Sequence, residues 1–257
     1  MGQNPLAELD TLTAVVTGAS RGIGRAIALE LARAGASVLV HGRLGREAAE
    51  AVAAEARGCG VDATVVLAEL ADPAQHEQLV EQAWGWRPKI DIWVNNAGAD
   101  ILTGPAARWP FERKLEALWQ VDVVATMRLG RLAGKRMKEA GGGVILNVGW
   151  DGAEHGMGGD SGEVYVAAKG AVMAVTRSLA RSLAPEVRVN CLAPGWIKTT
   201  WGEGASPRWQ ERACRESLLG RWGAPEEVAR VARFLVSPAA SFVNGEIVHV
   251  NGGFNWS

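Results

Sequence analysis

The stretch that most constrains the fold runs from Leu12 to Ala34, where an apolar run, a glycine-bearing turn and an amphipathic segment follow one another without a gap. Leu12, Ala14, Val15 and Val16 read as a buried strand, and Ile23, Ile27 and Leu31 recur at i, i+4 and i+8, on one face of a helix. Between them stands Thr17-Gly18-Ala19-Ser20-Arg21-Gly22-Ile23-Gly24. A strand that delivers its carboxyl end onto a helix N-terminus leaves backbone N–H groups unpaired beside the positive end of the helix dipole. That arrangement seats a phosphate. Gly18 permits the tight turn, Gly22 lets a pyrophosphate approach the backbone, and Gly24 lets the helix lie close on the strand. A glycine pattern alone is weak, but the strand before it and the helix after it are the context a phosphate turn requires.

The same alternation continues along the chain. Ala34-Gly35-Ala36 ends the first helix, and Ser37 to Val40 is a second strand followed by His41-Gly42-Arg43. In dinucleotide-binding folds this strand end reads the adenosine ribose, an acid bonding the 2′-hydroxyl and an arginine suiting a 2′-phosphate. No acid is present, Arg43 stands there and Arg21 lies in the phosphate turn, which favours NADP(H) over NAD(H). Glu47 to Arg57 is helical, Ala63 to Leu67 a third strand ending in Glu69-Leu70, and Asp72-Pro73 opens a helix towards Trp86. A fourth strand, Ile90 to Val94, closes in Asn95-Asn96-Ala97-Gly98. Strands alternating with helices, each strand ending in polar or small residues, make a parallel sheet with ligand groups along one edge.

A long helix is expected from about Phe111 to Lys138, then a fifth strand from Val144 to Val148 and a glycine-rich loop from Gly149 to Gly159 that forms a mobile wall of a site. Asp160-Ser161-Gly162-Glu163 matches a capping box and starts a helix to Leu183. In its first turns Tyr165 and Lys169 are four apart, so the phenol and the ammonium share a face. A sixth strand, Val187 to Leu192, leads to Ala193-Pro194-Gly195-Trp196-Ile197-Lys198-Thr199. An insertion over the site around residues 196–220, a helix from Pro225 to Val236 and a seventh strand from Glu246 to Val250 complete the chain.

The 257 residues are expected to form a single domain spanning 1–257, since no linker divides them. Lys and Arg number 27 against 28 Asp and Glu, a net charge of -1, which gives no electrostatic footprint for nucleic acid or an anionic membrane. Met1 to Thr13 carries neither a targeting pattern nor a spanning segment, so a cytoplasmic location is expected. Three cysteines without C-x-x-C spacing read as reduced thiols rather than a disulfide frame or a metal site.

Thr17 to Gly24, Asn95 to Gly98, Tyr165 with Lys169, Asn190 with Pro194-Gly195, Arg221-Trp222-Gly223 before Glu227, and Asn244-Gly245 before Gly252-Gly253 occur in that order. With these markers the chain resembles the short-chain dehydrogenase/reductase family, especially compact members that include 3-oxoacyl-carrier-protein reductases and sugar or polyol dehydrogenases. The resemblance covers nearly the whole chain. It implies an α/β doubly wound Rossmann-type fold, a seven-stranded parallel sheet with helices on both faces, assembled as a homo-oligomer, a tetramer or a dimer. It also implies roles: Ser20, Arg21 and Ile23 around the phosphates, Glu69 and Leu70 at the adenine, Asn96, Ala97 and Gly98 along the ribose, and Pro194, Gly195, Ile197 and Thr199 around the nicotinamide. The implied reaction is the interconversion of a small-molecule carbonyl and a secondary alcohol.

The chemistry of Tyr165 and Lys169 agrees with this. A phenol ionises near 10 in isolation, and a neighbouring ammonium favours the phenolate, so the Tyr165 pKa is expected below about 10. One group can then donate a proton in reduction and accept it in oxidation. Two positions depart from the family pattern. The family carries a serine near the end of the fifth strand that donates to the substrate oxygen, whereas this chain has Gly149-Trp150-Asp151-Gly152. The family's asparagine in the long helix is Asp122 here. Loss of one such donor can cost about 100- to 1,000-fold in turnover. Asp151 could substitute if protonated; ionised, it would raise the Tyr165 pKa and repel a developing alkoxide. His155 is a further candidate or a solvated loop residue, and Trp150 and Trp196 either wall the substrate pocket or pack under the loops. The alternative function is a dinucleotide-binding protein without turnover, acting as a sensor or as the partner subunit of an active homologue.

Overall fold

The computed structural model describes residues 8–102 and 104–254, with the side chain of residue 201 also outside the description. Seven strands, β1 Thr13–Val16, β2 Ser37–Gly42, β3 Ala63–Leu67, β4 Ile92–Asn95, β5 Gly143–Val148, β6 Val187–Pro194 and β7 Ile247–Val250, form one sheet in the order β3-β2-β1-β4-β5-β6-β7. Every neighbouring pair is parallel. The connecting helices are α1 Gly22–Arg33, α2 Arg46–Gly58, α3 Pro73–Trp86, α4 Phe111–Leu118, α5 Ala125–Glu139, α6 Asp160–Leu183, α7 Thr200–Glu203, α8 Pro207–Glu216 and α9 Pro225–Val236.

Alternate strand residues face opposite sides of the sheet, and both sides are covered. Ala14, Val16, Val38, Val40, Ile92 and Val94 meet residues of α1, α2 and α9, among them Ile27, Leu31, Val52 and Val228. Val15, Leu39, Trp93, Ile145 and Val189 face the other layer, with Leu79, Leu129, Met137 and Leu179 of α3, α5 and α6. This is why Ala14, Val15 and Val16 are all fully buried and the strand reads as an unbroken apolar run. The Ile23, Ile27, Leu31 face of α1 points into that core as the spacing required.

β1 lies between β2 and β4, so the chain winds outward to β3 and then returns to the opposite side of β1. The carboxyl ends of β1 and β4 therefore open the crevice where a doubly wound sheet takes its ligand.

One local expectation is refined and one corrected. The helix expected over Phe111 to Lys138 runs unbroken from Phe111 to Glu139, but between α4 and α5 it widens into a π turn, Trp119–Val124, that contains Asp122. Wider turns of this kind form where a side chain must be aimed out of the helical phase, and Asp122 is held by partners on two other elements. The capping box at Asp160 does not form. Gly159, at φ 86, is the N-cap, and no side chain closes the turn. Ser161 instead accepts a hydrogen bond from Lys114 Nζ at 2.9 Å, so its hydroxyl is used to tie α4 to α6. The loop after β5 contains a short 3₁₀ turn, Asp151–Glu154. The insertion holds α7 and α8, helical pieces as expected. Cys59, Cys191 and Cys214 are free thiols. No described helix is long and apolar enough to cross a membrane, and the reading of the N-terminal residues falls partly on residues 1–7, outside the described residues.

Candidate active site

The glycine turn after β1 is pinned from three sides. Thr17 Oγ1 donates to Val94 O at 3.2 Å and accepts from the N–H groups of Asn96 at 2.9 Å and Ala97 at 3.0 Å. The Asn96 amide donates back to Thr17 O and Gly18 O. Gly18 has φ +63, and a Cβ there would lie 2.8 Å from Ala97 Cα, so no other residue fits without moving backbone. A Cβ on Gly24 would collide with the Asn96 amide and Gly18 O, which is how α1 closes on the turn. Thr199 reaches over Gly22 from the loop after β6; a Cβ there would lie 3.4 Å from its methyl. Asn96, Ala97 and Thr199 thus pack against the glycine turn that carries Ser20, Arg21 and Ile23, with Gly98 next after Ala97, and a bare turn at a helix start can seat a phosphate.

His41 holds this turn to β3, a role the sequence did not disclose. Its Nδ1 accepts from the Gly18 N–H at 3.0 Å, which leaves Nε2 to donate to Ala68 O at 3.1 Å. Both bonds need the neutral ring, and burial lowers its pKa from 6.5 to about 4. Two residues on, Arg43 is 68% exposed, with Glu69 3.9 Å away as its ion-pair partner. Arg21 is exposed at the N-cap of α1. Glu69 receives the Ala71 N–H, and Leu70 is buried behind it. Two guanidinium groups, at the end of β2 and in the glycine turn, are thus exposed.

Across the crevice, Tyr165 and Lys169 stand on the same face of α6, the ammonium 6.0 Å from the phenol ring centroid. Lys169 Nζ donates to Val148 O at the end of β5, at 3.2 Å, and lies 2.8 Å from Asp122 Oδ1, off the ideal hydrogen-bond direction. Asp122 Oδ2 accepts from the Ala99 N–H at 2.8 Å, and a Cβ on Gly98 would lie 2.9 Å from Oδ1. Hydrogen bonds and one ion pair therefore lead from Gly18 O to Asn96, and from the Ala99 N–H to Asp122 and Lys169, one helical turn from Tyr165. Both members of the ion pair are buried. Removing one partner from such a pair costs roughly 3–5 kcal/mol, because the other charge is stranded.

The expected lowering of the Tyr165 pKa is overturned. Tyr165 is half-buried, and desolvation raises its pKa above the ordinary 10.0; Lys169 pulls it down, Asp122 and Asp100 push it up. The ammonium next to the phenol is already answered by a carboxylate. Burial by itself would lower Lys169, yet Asp122 and Tyr165 hold it above its usual value.

The end of β5 is unlike the rest of the site. Trp150 sets its indole edge-on against the Tyr165 ring, centroids 5.7 Å apart. Asp151 is buried, accepts from the Asn251 amide at 3.1 Å, and its pKa is raised by burial more than Asn251 and the Gly152 N–H lower it. Trp150, Asp151, His155 and Trp196 line one cavity together with Glu216 and Phe254. His155 packs on the Phe254 ring at 4.5 Å. The Trp196 indole donates to Glu216 at 2.8 Å, and the Arg212 guanidinium lies over Trp196 and Trp209. Pro194 ends β6, Gly195 is tied to Val250 O, and Ile197 bridges to Gly223.

Asn251 and Phe254 escaped the sequence reading because they follow the last strand, and nothing in their spacing ties them to residues about a hundred positions earlier. Asn95 and Asn147 likewise gave no periodic signal. The Trp93 indole donates to Asn95, Asn95 to Asn147, Asn147 to Thr176 and Thr176 to Val172 O, a buried polar chain that joins β4 and β5 to α6.

The family model described as Enoyl-(Acyl carrier protein) reductase matches residues 18–255. The 3-oxoacyl-[acyl-carrier-protein] reductase FabG of Aquifex aeolicus is 37% identical over 253 residues, which cover 96% of this chain and 98% of that protein. A 7α-hydroxysteroid dehydrogenase solved with NADH and 7-oxo glycochenodeoxycholic acid superposes with a TM-score of 0.88 at 31% identity, covering 100% of this chain and 99% of that one. A 3-oxoacyl (acyl-carrier-protein) reductase of Agrobacterium tumefaciens C58 solved with NADP gives 0.87 at 32% identity, covering 98% of each chain. With that likeness along its length, a seven-stranded doubly wound sheet and a glycine turn facing Tyr165 and Lys169, the chain belongs to the short-chain dehydrogenase/reductase family of NAD(P)-dependent oxidoreductases.

Proposed function

We propose that the protein is an NADP(H)-dependent oxidoreductase that interconverts a small-molecule carbonyl and a secondary alcohol, with Tyr165 as its acid and base. The observation that carries this reading is the run of hydrogen bonds and one ion pair that leads from the glycine turn through residues 96–99 to Asp122 and Lys169, one helical turn from Tyr165. Gly18 and Gly24 let the turn and α1 close on Ala97 and Asn96, where any Cβ would collide, and a bare turn at a helix start fits a pyrophosphate. Arg43 and Arg21 would hold a 2′-phosphate by charge-assisted hydrogen bonds. When bound, the nicotinamide supplies or accepts a hydride at the carbonyl carbon. Tyr165 Oη gives its proton to the carbonyl oxygen in reduction and takes one in oxidation. Lys169, fixed by Val148 O and Asp122, keeps an ammonium beside that hydroxyl. At the end of β5 burial favours the neutral acid of Asp151, which can donate where the family uses a serine. Trp150, His155 and Trp196 wall the substrate side.

A binding protein without turnover is favoured by one observation, the indole of Trp150 and the lack of any hydroxyl at the end of β5. Steady oxidation of NADPH against a broad panel of ketones separates the two. The expected outcome is turnover that Tyr165→Phe abolishes, by about 100-fold or more, while NADPH affinity stays within a few-fold. Tight NADPH binding with no turnover across the panel establishes the second reading instead.

A further inference from the structure

The most unusual feature of the site is that its one buried ammonium is neutralised. Lys169 is the cation expected to bring the Tyr165 phenol towards phenolate, but its Nζ lies 2.8 Å from Asp122 Oδ1, with side-chain exposures of 8% and 0%. The carboxylate is built in. Its second oxygen takes the Ala99 N–H at 2.8 Å, and the π turn Trp119–Val124 aims it out of the helical phase that α4 and α5 would otherwise share. An amide at position 122 would leave the ammonium uncompensated, whereas the carboxylate makes the pair neutral as a unit.

We propose that Asp122 is the counter-ion that answers Lys169 and keeps Tyr165 protonated near neutral pH, and so sets the pH at which the site gains and loses its proton carrier. The inference rests on the oxidoreductase reading above and concerns the proton inventory of that site. In reduction, hydride forms the new C–H bond, the C=O π bond breaks, and the Tyr165 proton forms the O–H bond as the dinucleotide is oxidised. Oxidation runs those steps backwards and needs the phenolate to take the alcohol proton. The overall equilibrium is untouched; what moves is the pH range over which each direction runs. Asp122 acts through Lys169 and is a positioning residue. The charged groups facing the phenol are Lys169 one turn along α6, Asp122 from the π turn and Asp100 from the segment after β4; the Cys191 thiol of β6 faces the ammonium. Burial is the largest influence on the Tyr165 phenol and raises it, Lys169 lowers it, and Asp122 and Asp100 add to the rise, so the net direction is upward.

Tyr165 is the only tyrosine in the chain, so a phenolate signal needs no assignment. The first arm is an ultraviolet difference titration of the intact parent protein and of Asp122→Asn, with near-ultraviolet circular dichroism to show that both are folded. The parent phenol is expected to titrate above the ordinary value, and the variant lower by about one to three pH units. Asp100→Asn is expected to move it less. The second arm follows kcat/KM against pH with NADPH and ethyl acetoacetate, and with NADP+ and ethyl 3-hydroxybutyrate. The limb that reports Tyr165 should move down by a similar amount in both directions, about one to three pH units. A simple packing role for Asp122 would lower rates without moving the limb. Should parent and variant phenols titrate together, or the parent at or below the ordinary value, Asp122 is not the counter-ion and the proposal fails. If no turnover is found with any carbonyl, the oxidoreductase reading falls and the kinetic arm of this test with it, while the titration still decides the role of Asp122.

Discussion

His41 shows how one side chain converts a fold into a pH response. Its neutral ring is required by both of its bonds, to the Gly18 N–H and to Ala68 O, and its folded pKa is about 4 against 6.5 for a free histidine. Between those values the unfolded chain takes up a proton that the folded chain refuses, so stability is full above pH 6.5, falls as the pH drops through the window, and levels off below about 4. The full effect is roughly 3 kcal/mol. Urea unfolding of the parent at a series of pH values should show this slope, and His41→Gln, whose amide can donate to Ala68 O but does not titrate, should flatten it. Equal slopes would assign the acid sensitivity to carboxylates instead. The histidine stood in plain view at the end of β2, but its two partners come from other strands, so no local pattern could assign it a role.

At the level of elements, the strands were legible because both faces of a parallel sheet are buried, and the seven apolar runs have no competing helical period. Helix interiors were legible for the same reason, but their irregularities were not. The π turn at Trp119–Val124 arises from where Asp122 must point, and that depends on Ala99 and Lys169, residues far apart in sequence. A second long-range device is the chain Trp93, Asn95, Asn147, Thr176, which ties two central strands to the helix that carries Tyr165 and Lys169. Asn147 is fully buried and serves both neighbours at once. Asn147→Leu should therefore leave the Asn95 amide without its acceptor, at about 1–3 kcal/mol, while the Thr176 hydroxyl keeps its bond to Val172 O. Denaturant unfolding should show a lower midpoint with an unchanged slope, and a loss well under 1 kcal/mol would mean that water or a rearranged Asn95 replaces the link.

Over the whole molecule, three distant stretches meet at one wall of the cavity: the loop after β5, the insertion ending at α8, and the chain beyond β7. The N–H groups of Leu218 and Leu219 donate to Gly253 O and Gly252 O, Ser217 bridges to Phe254, and Phe254 packs on His155. Phe254→Ala should thus loosen the substrate side alone: KM for a carbonyl substrate rises several-fold, or about 1 kcal/mol, while kcat and NADPH affinity hold. An equal fall in kcat would place Phe254 in the chemistry rather than in the wall. The cofactor half of the crevice could be read in advance because strand, glycine turn and helix are consecutive, so their spacing alone puts backbone N–H groups at a helix start. Tyr165 and Lys169 were legible for a similar reason, since four residues along one helix guarantee a shared face. Their electrostatics were not. Sequence separation reports neither how far the packed layers desolvate the phenol nor that a carboxylate from a π turn lies 2.8 Å from the lysine; burial first, with Asp122 and Asp100 adding to it, reverses the expected direction for the phenol. Local periodicity sets which residues share a face; the packing of the layers decides which charges are answered and which are left free to act.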